Sequence, residues 1–276
     1  MKLITYSTGS GAPKVGYIED GGIQPLGDGS LLEYIVHGRG PDRRPSEAGE
    51  TVALEEASLH PPIARPEKIV AIGLNYEDHA AETGAEIPDK PVVFTKYPNT
   101  IIGPGAPIRI PPITEQVDYE AELAVIVGRR AKNVSESEAL DYVFGYTNAN
   151  DVSARDLQFS EGGQWTRSKS IDTFLPLGPY VATRDEIPDP QNLFIRAILN
   201  GETVQDGTTS RMIFSVAELV SFLSQGMTLE PGDVIITGTP PGVGMARDPQ
   251  LWMKPGDEVS IEIEGLGTLT NPVEAE

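Results

Sequence analysis

The sequence contains no cysteine. Disulfides, thiolate-bound metals, iron–sulfur clusters and cysteine nucleophiles are therefore excluded. It is also poor in basic residues: 21 Lys and Arg stand against 41 Asp and Glu, a formal charge of -20 over 276 residues. Such a surface repels phosphate backbones and anionic lipid, so neither nucleic acid nor a membrane is expected as a partner. Long apolar runs are missing too. The opening MKLITYSTGSGAPKVG lacks the apolar stretch of a signal peptide, and nothing later reaches the ~20 residues of a membrane span, so a cytoplasmic location is expected. Histidine occurs only at positions 37, 60 and 79, which leaves little room for a histidine-rich metal site.

Hydrophobic residues at 39% and charged residues at 22% are ordinary for a globular chain. The 29 glycines and 24 prolines follow no period, so collagen is excluded and a turn-rich, strand-rich fold is favoured. Ser30 and Glu33 form a capping box for a short helix, Leu31 to His37, followed by a polar surface loop from Gly38 to Gly49. The proline-punctuated run Leu59–Pro66 marks a joint. We expect a small N-terminal domain over residues 1–62 and a larger one over 66–276. Beyond the joint, Lys68–Ile72, Val234–Thr237 and Val259–Ile263 read as strands. Asn200-Gly201 reads as a type I′ hairpin turn. Ser135 with Glu138, and Ser215 with Glu218, read as capping boxes, the second helix stopping at Gly226. The fold class is mainly β (α+β).

Four segments carry chemistry. In Val117–Val127 the apolar positions alternate, so Glu120 and Glu122 point from one face about 7 Å apart by strand rise. Neighbouring carboxylates resist ionising unless a cation lies between them, and Mg²⁺, Mn²⁺ or Ca²⁺ favours such oxygen ligands. The same pattern also fits two solvated glutamates on a wet face. Asp151, ending the strand-like Gly145–Asn150, is a third ligand candidate or a turn residue. In Gly73–Gly84, Asn75 is a cap and Gly84 a stop for a helix with His79 and Glu82 on one face. That pair suits a general base with a fixed tautomer, or a plain surface pair. Arg155, Arg167 and Lys169 cluster in an otherwise acidic chain, as an anion-holding group or a basic loop. Thr237–Gly244 offers backbone N–H groups to an anion, or is a structural turn.

Taken in order, Gly73-Leu74-Asn75-Tyr76 with His79 and Glu82, Asp118–Leu123, Asn150–Asp156, Lys169-Ser170 and Thr237–Gly244 resemble the fumarylacetoacetate hydrolase superfamily. The resemblance spans about Lys68 to Pro272. It implies a mixed β-sandwich roll, a homodimer, and a divalent ion, Mg²⁺ or Mn²⁺ with Ca²⁺ as a further candidate, on Glu120, Glu122 and Asp151. It implies a water-activating pair at His79 and Glu82 in a lid segment, and an oxyanion-binding Lys169. It implies substrate contacts at Gln158, Arg155, Thr239 and Gly238. The short N-terminal domain and the Pro240-Pro241-Gly242 spelling look closest to bacterial diketo-acid hydrolases and oxaloacetate decarboxylase-like members. The expected substrate is a small 2-keto acid. The expected reaction is metal-dependent hydrolysis of a C–C bond in a 2,4-diketo acid through an enolate; the alternative is decarboxylation, tautomerisation or isomerisation of oxaloacetate on the same site. A metal-stabilised binding protein without turnover is the contrasting class.

Overall fold

A computed structural model describes residues 1–38, 50–160 and 162–276. The polar stretch expected as a loop lies, after Gly38, outside the described residues. The first sixty residues form β1 (Lys2–Thr8), β2 (Lys14–Glu19), β3 (Gly22–Asp28), α1 (Leu31–Val36), β4 (Val52–Ala53) and β5 (Ala57–His60). Next come β6 (Ile69–Gly73), α2 (Glu77–Thr83), β7 (Val92–Lys96), β8 (Ile101–Ile102), β9 (Ile108–Ile110), β10 (Val117–Asp118) and β11 (Ala121–Val127). Then follow α3 (Glu136–Ala139), β12 (Val143–Asn150), β13 (Ser153–Ala154), α4 (Arg155–Ser160), α5 (Thr166–Lys169) and β14 (Leu175–Thr183). The chain finishes with β15 (Phe194–Leu199), β16 (Glu202–Thr208), α6 (Val216–Gly226), β17 (Val234–Ile236), β18 (Glu258–Ile263) and β19 (Thr268–Ala275).

The principal sheet has the order β4-β3-β2-β1-β14-β12-β11-β17-β6-β7, with β5 on β1 and β8 on β14. It is mixed, since β17 runs parallel to β6 while β11 and β12 are antiparallel. A second sheet, β16-β15-β18-β19-β9, packs on one face of it. Leu123 and Val125 of β11 share that core with Ile195, Ile261 and Leu269, while Ala124 and Ile126 belong to a separate core with Leu3, Leu31 and Ile35 on the opposite face. The sequence-expected mainly β fold is therefore present as two packed mixed sheets. The strands of residues 1–60 join the same sheet as the rest, through Lys2 opposite Ala182 and Leu3 opposite Val181.

Local signals explain the tight connections. Asn200 and Gly201 hold φ of +51° and +81° between β15 and β16, the backbone that a type I′ turn demands. Ser215 and Glu218 make both halves of a capping box, and α6 buries Val216, Leu219, Val220 and Leu223 along one stripe. Gly226 is inside that helix, whose cap is Met227 in an extended conformation. Ser30 and Glu33 cap α1 as expected. The Ser135–Glu138 box does not form: the Ser135 hydroxyl spends itself on the Glu138 carboxylate at 2.5 Å instead of on a backbone N–H.

The segment 117–127 is not one strand with a wet face. β10 pairs with β13, the chain turns through Tyr119 and Glu120, and β11 then pairs with β12 and β17. All seven residues of β11 are buried, because both sheet faces are covered.

Candidate active site

The turn between β10 and β11 strips three backbone N–H groups of ladder partners, and side chains replace them. Tyr119 N–H goes to Asp118 Oδ1 at 2.9 Å, Glu120 N–H to Asn150 Oδ1 at 3.0 Å, and Ala121 N–H to Gln205 Oε1 at 2.9 Å. A buried N–H without an acceptor is costly, so these contacts make the break possible. Asp151 follows directly on β12, and its N–H bonds the Glu120 carbonyl at 2.9 Å. As a result Glu120, Glu122 and Asp151, all buried, bring one carboxylate oxygen each to within 4.8 Å of one another. Two glutamates on a solvated face and a free turn aspartate are thereby ruled out.

Three buried cations stand against these acids. Lys169 Nζ lies 2.7 Å from both Glu120 Oε2 and Asp151 Oδ2. Lys96 Nζ lies 2.6 Å from Asp151 Oδ1. Arg155 donates from Nη2 to Glu120 Oε1 at 2.6 Å, from Nε to Asp118 Oδ2 at 2.9 Å, and from Nη1 to Gln158 Oε1 at 2.9 Å. Arg155 and Lys169 open α4 and close α5, so neither belongs to a basic surface loop. Burial alone would raise Glu120, but the charges of Lys169 and Arg155 outweigh it and hold the carboxyl down at about 2. Burial lowers Lys96, whereas Asp151 and Glu120 overcome burial at Lys169 and raise it.

Glu122 is different. Among the described residues it accepts only the Gly238 N–H, at 2.7 Å, and no cation pairs with it. Burial first, then the charges of Asp151 and Glu120, push its carboxyl well above the glutamate range. With Asp118, four buried carboxylates face three buried cations. The donor set is all oxygen and, when fully ionised, carries one charge more than its buried cations balance. A hard divalent cation fits such a set.

The site opens on a cavity of about 220 Å³. His79, Glu120, Glu122, Arg155, Gln158 and Lys169 line it, as do Gly238 and Thr239, with Phe94 and Trp165 forming an apolar wall. Of the ten residues singled out from sequence, only Glu82 and Asp151 do not line it; each stands behind a partner that does. His79 and Glu82 sit on α2, which ends at Gly84 in the left-handed conformation, φ +66°. His79 Nδ1 lies 3.3 Å from Glu82 Oε2, and both Glu82 oxygens accept the Gly242 N–H at 2.9 and 3.1 Å. The other two histidines are held elsewhere, His37 on the Glu33 carbonyl and His60 on Ser7.

The loop expected to offer N–H groups to an anion does so, but to the chain's own carboxylates. Gly238 serves Glu122, Gly242 serves Glu82, and Gly244 with Met245 serves Asp118. Gly238 has φ +92°, and a Cβ there would stand 2.8 Å from the Asn75 Cβ. Asn75 does not cap α2. The cap is Tyr76, and the Asn75 amide instead bonds the Thr237 carbonyl at 2.8 Å and the Phe214 backbone at 3.1 and 2.8 Å.

Residues 68–274 match the family described as fumarylacetoacetate (FAA) hydrolase C-terminal. The chain belongs to the fumarylacetoacetate hydrolase family. A mitochondrial oxaloacetate tautomerase of Xenopus laevis is 42% identical over 287 residues, covering 99% of this chain and 90% of the relative. Two solved structures superpose over the whole chain. A fumarylacetoacetate hydrolase from Exiguobacterium antarcticum has a TM-score of 0.90 and 39% identity, with 100% of both chains covered. A 5-carboxymethyl-2-hydroxymuconate delta-isomerase from Mycobacterium smegmatis has a TM-score of 0.83 and 38% identity, covering 99% of that chain. No helix among the described residues is long and apolar enough to cross a membrane.

Within this fumarylacetoacetate hydrolase-family site, sequence reasoning missed three buried polar residues. Lys96 is a cation in the apolar strand Val92–Lys96, on the same face as Phe94, and that mismatch was a readable signal. Asp118 precedes Glu120 and Glu122 at the same period of two, so it too was within reach. Gln205 lies across the second sheet, and nothing local marks it.

Proposed function

We propose that this chain is a keto–enol tautomerase of an oxaloacetate-type 2-keto acid, working with Mg²⁺ or Mn²⁺ held by Glu120, Glu122 and Asp151. The observation that carries this reading is the uncompensated Glu122 carboxylate, gathered with Glu120 and Asp151 beside a cavity that also presents an imidazole and an ammonium. The names of the tautomerase relative and the isomerase structure support it. Glu120, Glu122 and Asp151 would hold a divalent ion, which would supply Lewis-acid polarisation to a 2-keto acid. His79 donates from Nδ1 to Glu82, which leaves Nε2 as the acceptor that takes a proton from C3 and delivers it to the C2 oxygen to give the enol, the reverse transfer giving the keto form. Lys169 uses two of its three donors on Glu120 and Asp151, and the third holds the enol oxygen. Arg155 orients Gln158, and Thr239 and Gly238 face the ligand from the opposite loop. A homodimer, and a division at residues 62–66 between an accessory unit and the unit that bears every site residue, belong to the same proposal.

The His79–Glu82 pair also favours a second reading, C–C hydrolysis of a 2,4-diketo acid, in which the imidazole takes its proton from water. A single assay separates the two. Mn²⁺-loaded protein is added to freshly dissolved oxaloacetate, and the approach to keto–enol equilibrium is followed by enol absorbance; acetylpyruvate and fumarylpyruvate are followed in parallel for loss of diketone absorbance. Tautomerisation is supported by acceleration over Mn²⁺ alone that falls by about 10²-fold or more in His79→Gln. Consumption of the diketo acids without acceleration on oxaloacetate replaces it with the hydrolase. No effect on any of them removes both.

A further inference from the structure

The geometry points to Gln205 as a positioning residue that fixes the direction of the Thr239 hydroxyl hydrogen, so that this hydroxyl donates to an anionic oxygen of the ligand. Gln205 sits on β16 in the second sheet and is buried. Its amide makes three bonds. Oε1 accepts from Ala121 N–H at 2.9 Å, and Nε2 donates to the Pro240 carbonyl at 2.8 Å and to Thr239 Oγ1 at 2.8 Å. Two of those partners are backbone groups with only one possible role. An N–H can only donate and a carbonyl can only accept, so the amide orientation is settled by chemistry and not by choice. Thr239 Oγ1 is therefore an acceptor toward Gln205, and its own hydrogen must point elsewhere. Among the described residues it meets no acceptor, and Thr239 lines the cavity. A ligand oxygen is the group left to receive it.

The same amide has a second consequence. Ala121 lies between Glu120 and Glu122, so one side chain from a different sheet joins the carboxylate-bearing turn to the loop that faces the ligand. Gln205 itself does not line the cavity; it acts through Thr239.

The inference rests on the reading that the cavity takes an α-oxo carboxylate, and the test separates the two. The probe is oxalate, titrated by calorimetry into Mn²⁺-loaded protein, with Mn²⁺ affinity measured separately by electron paramagnetic resonance. Gln205→Glu keeps the shape and the acceptor for Ala121 but, once ionised at the upper end of the pH range titrated, can only accept at Thr239, which reverses that hydrogen bond. Oxalate affinity should fall roughly 10-fold or more, the weight of one hydrogen bond to a charged group, while Mn²⁺ binds no more weakly. Thr239→Val should lose as much, Thr239→Ser should retain affinity, and Gln205→Glu in the Thr239→Val background should lose nothing further. Simple repulsion of oxalate by the new carboxylate would instead add in both backgrounds, and that result overturns the inference. So does wild-type affinity in Gln205→Glu, or no oxalate binding by the wild type. Gln205→Met, neutral and unable to donate, is the second probe if the first variant fails to fold; its loss must likewise vanish in the Thr239→Val background. Normal oxalate behaviour with no turnover of any 2-keto acid sinks the functional reading and leaves the role of Gln205 standing.

Discussion

Glu122→Gln should make the metal-free protein more stable and abolish its stabilisation by metal. Gln keeps the shape and the acceptor for the Gly238 N–H, and its new NH₂ faces the Glu120 and Asp151 oxygens. What disappears is the one carboxylate of the site without a paired cation among the described residues. Removing an uncompensated buried charge of this kind is worth roughly 1–4 kcal/mol, and at about 2 °C per kcal/mol for a chain of this size the melting temperature should rise by about 2–8 °C. The sign with pH follows from the raised carboxyl. A glutamate whose folded value lies above its unfolded value contributes stability below the unfolded value and loses it as pH rises through the folded one. The advantage of Gln over Glu in metal-free protein should therefore grow on going from pH 5 to pH 8. Metal binding needs the deprotonated form, so the wild-type gain from Mn²⁺ should grow in the same direction. It should reach about 2.7 kcal/mol at a hundredfold excess over Kd, and be lost in the variant. Calorimetric melts of chelator-treated and Mn²⁺-loaded protein at three pH values give all four curves. A variant less stable than wild type at pH 8 without metal, or one that keeps the full Mn²⁺ shift, refutes the argument.

Other perturbations separate buried from exposed charge. Lys96→Met leaves Asp151 Oδ1 without its closest cation and should cost about 3–5 kcal/mol in thermal unfolding, as when one partner of a buried pair is deleted. Gly238→Ala puts a methyl 2.8 Å from the Asn75 Cβ at φ +92°. It should cost on the order of 1–3 kcal/mol and weaken Mn²⁺ binding in the same titration, because the Gly238 N–H that holds Glu122 is displaced. Arg196→Ala removes an exposed pair with Asp206 at 2.8 Å. It should change stability by less than about 1 kcal/mol, with Mn²⁺ affinity unmoved.

Features decided within a few residues were legible in the sequence. The Asn200-Gly201 turn and the Ser215–Glu218 box need only their own backbone, and both formed. Ser135 and Glu138 show the limit of such logic. The same letters in a one-turn helix let the hydroxyl turn to the carboxylate instead. In Val117–Val127 the alternation was readable, and the residues on its apolar side all reach the core. The break at Tyr119 and Glu120 was not, because the acceptors that permit it come from Asn150 and Gln205, remote in the chain. For the same reason no wet face exists: apolar clusters pack against both sides of β11. Asn75 was misread as a cap since a cap is a local use of an amide, whereas here its partners are Thr237 and Phe214.

The clasp between Glu82 and the Gly242 amide ties two events together. The carboxylate that aligns the imidazole is the same group that pins α2 to the loop beneath it. His79 and Glu82 ride on one helix, so an outward movement of α2 would break the Gly242 contact and carry the imidazole away from the cavity with its carboxylate still beside it.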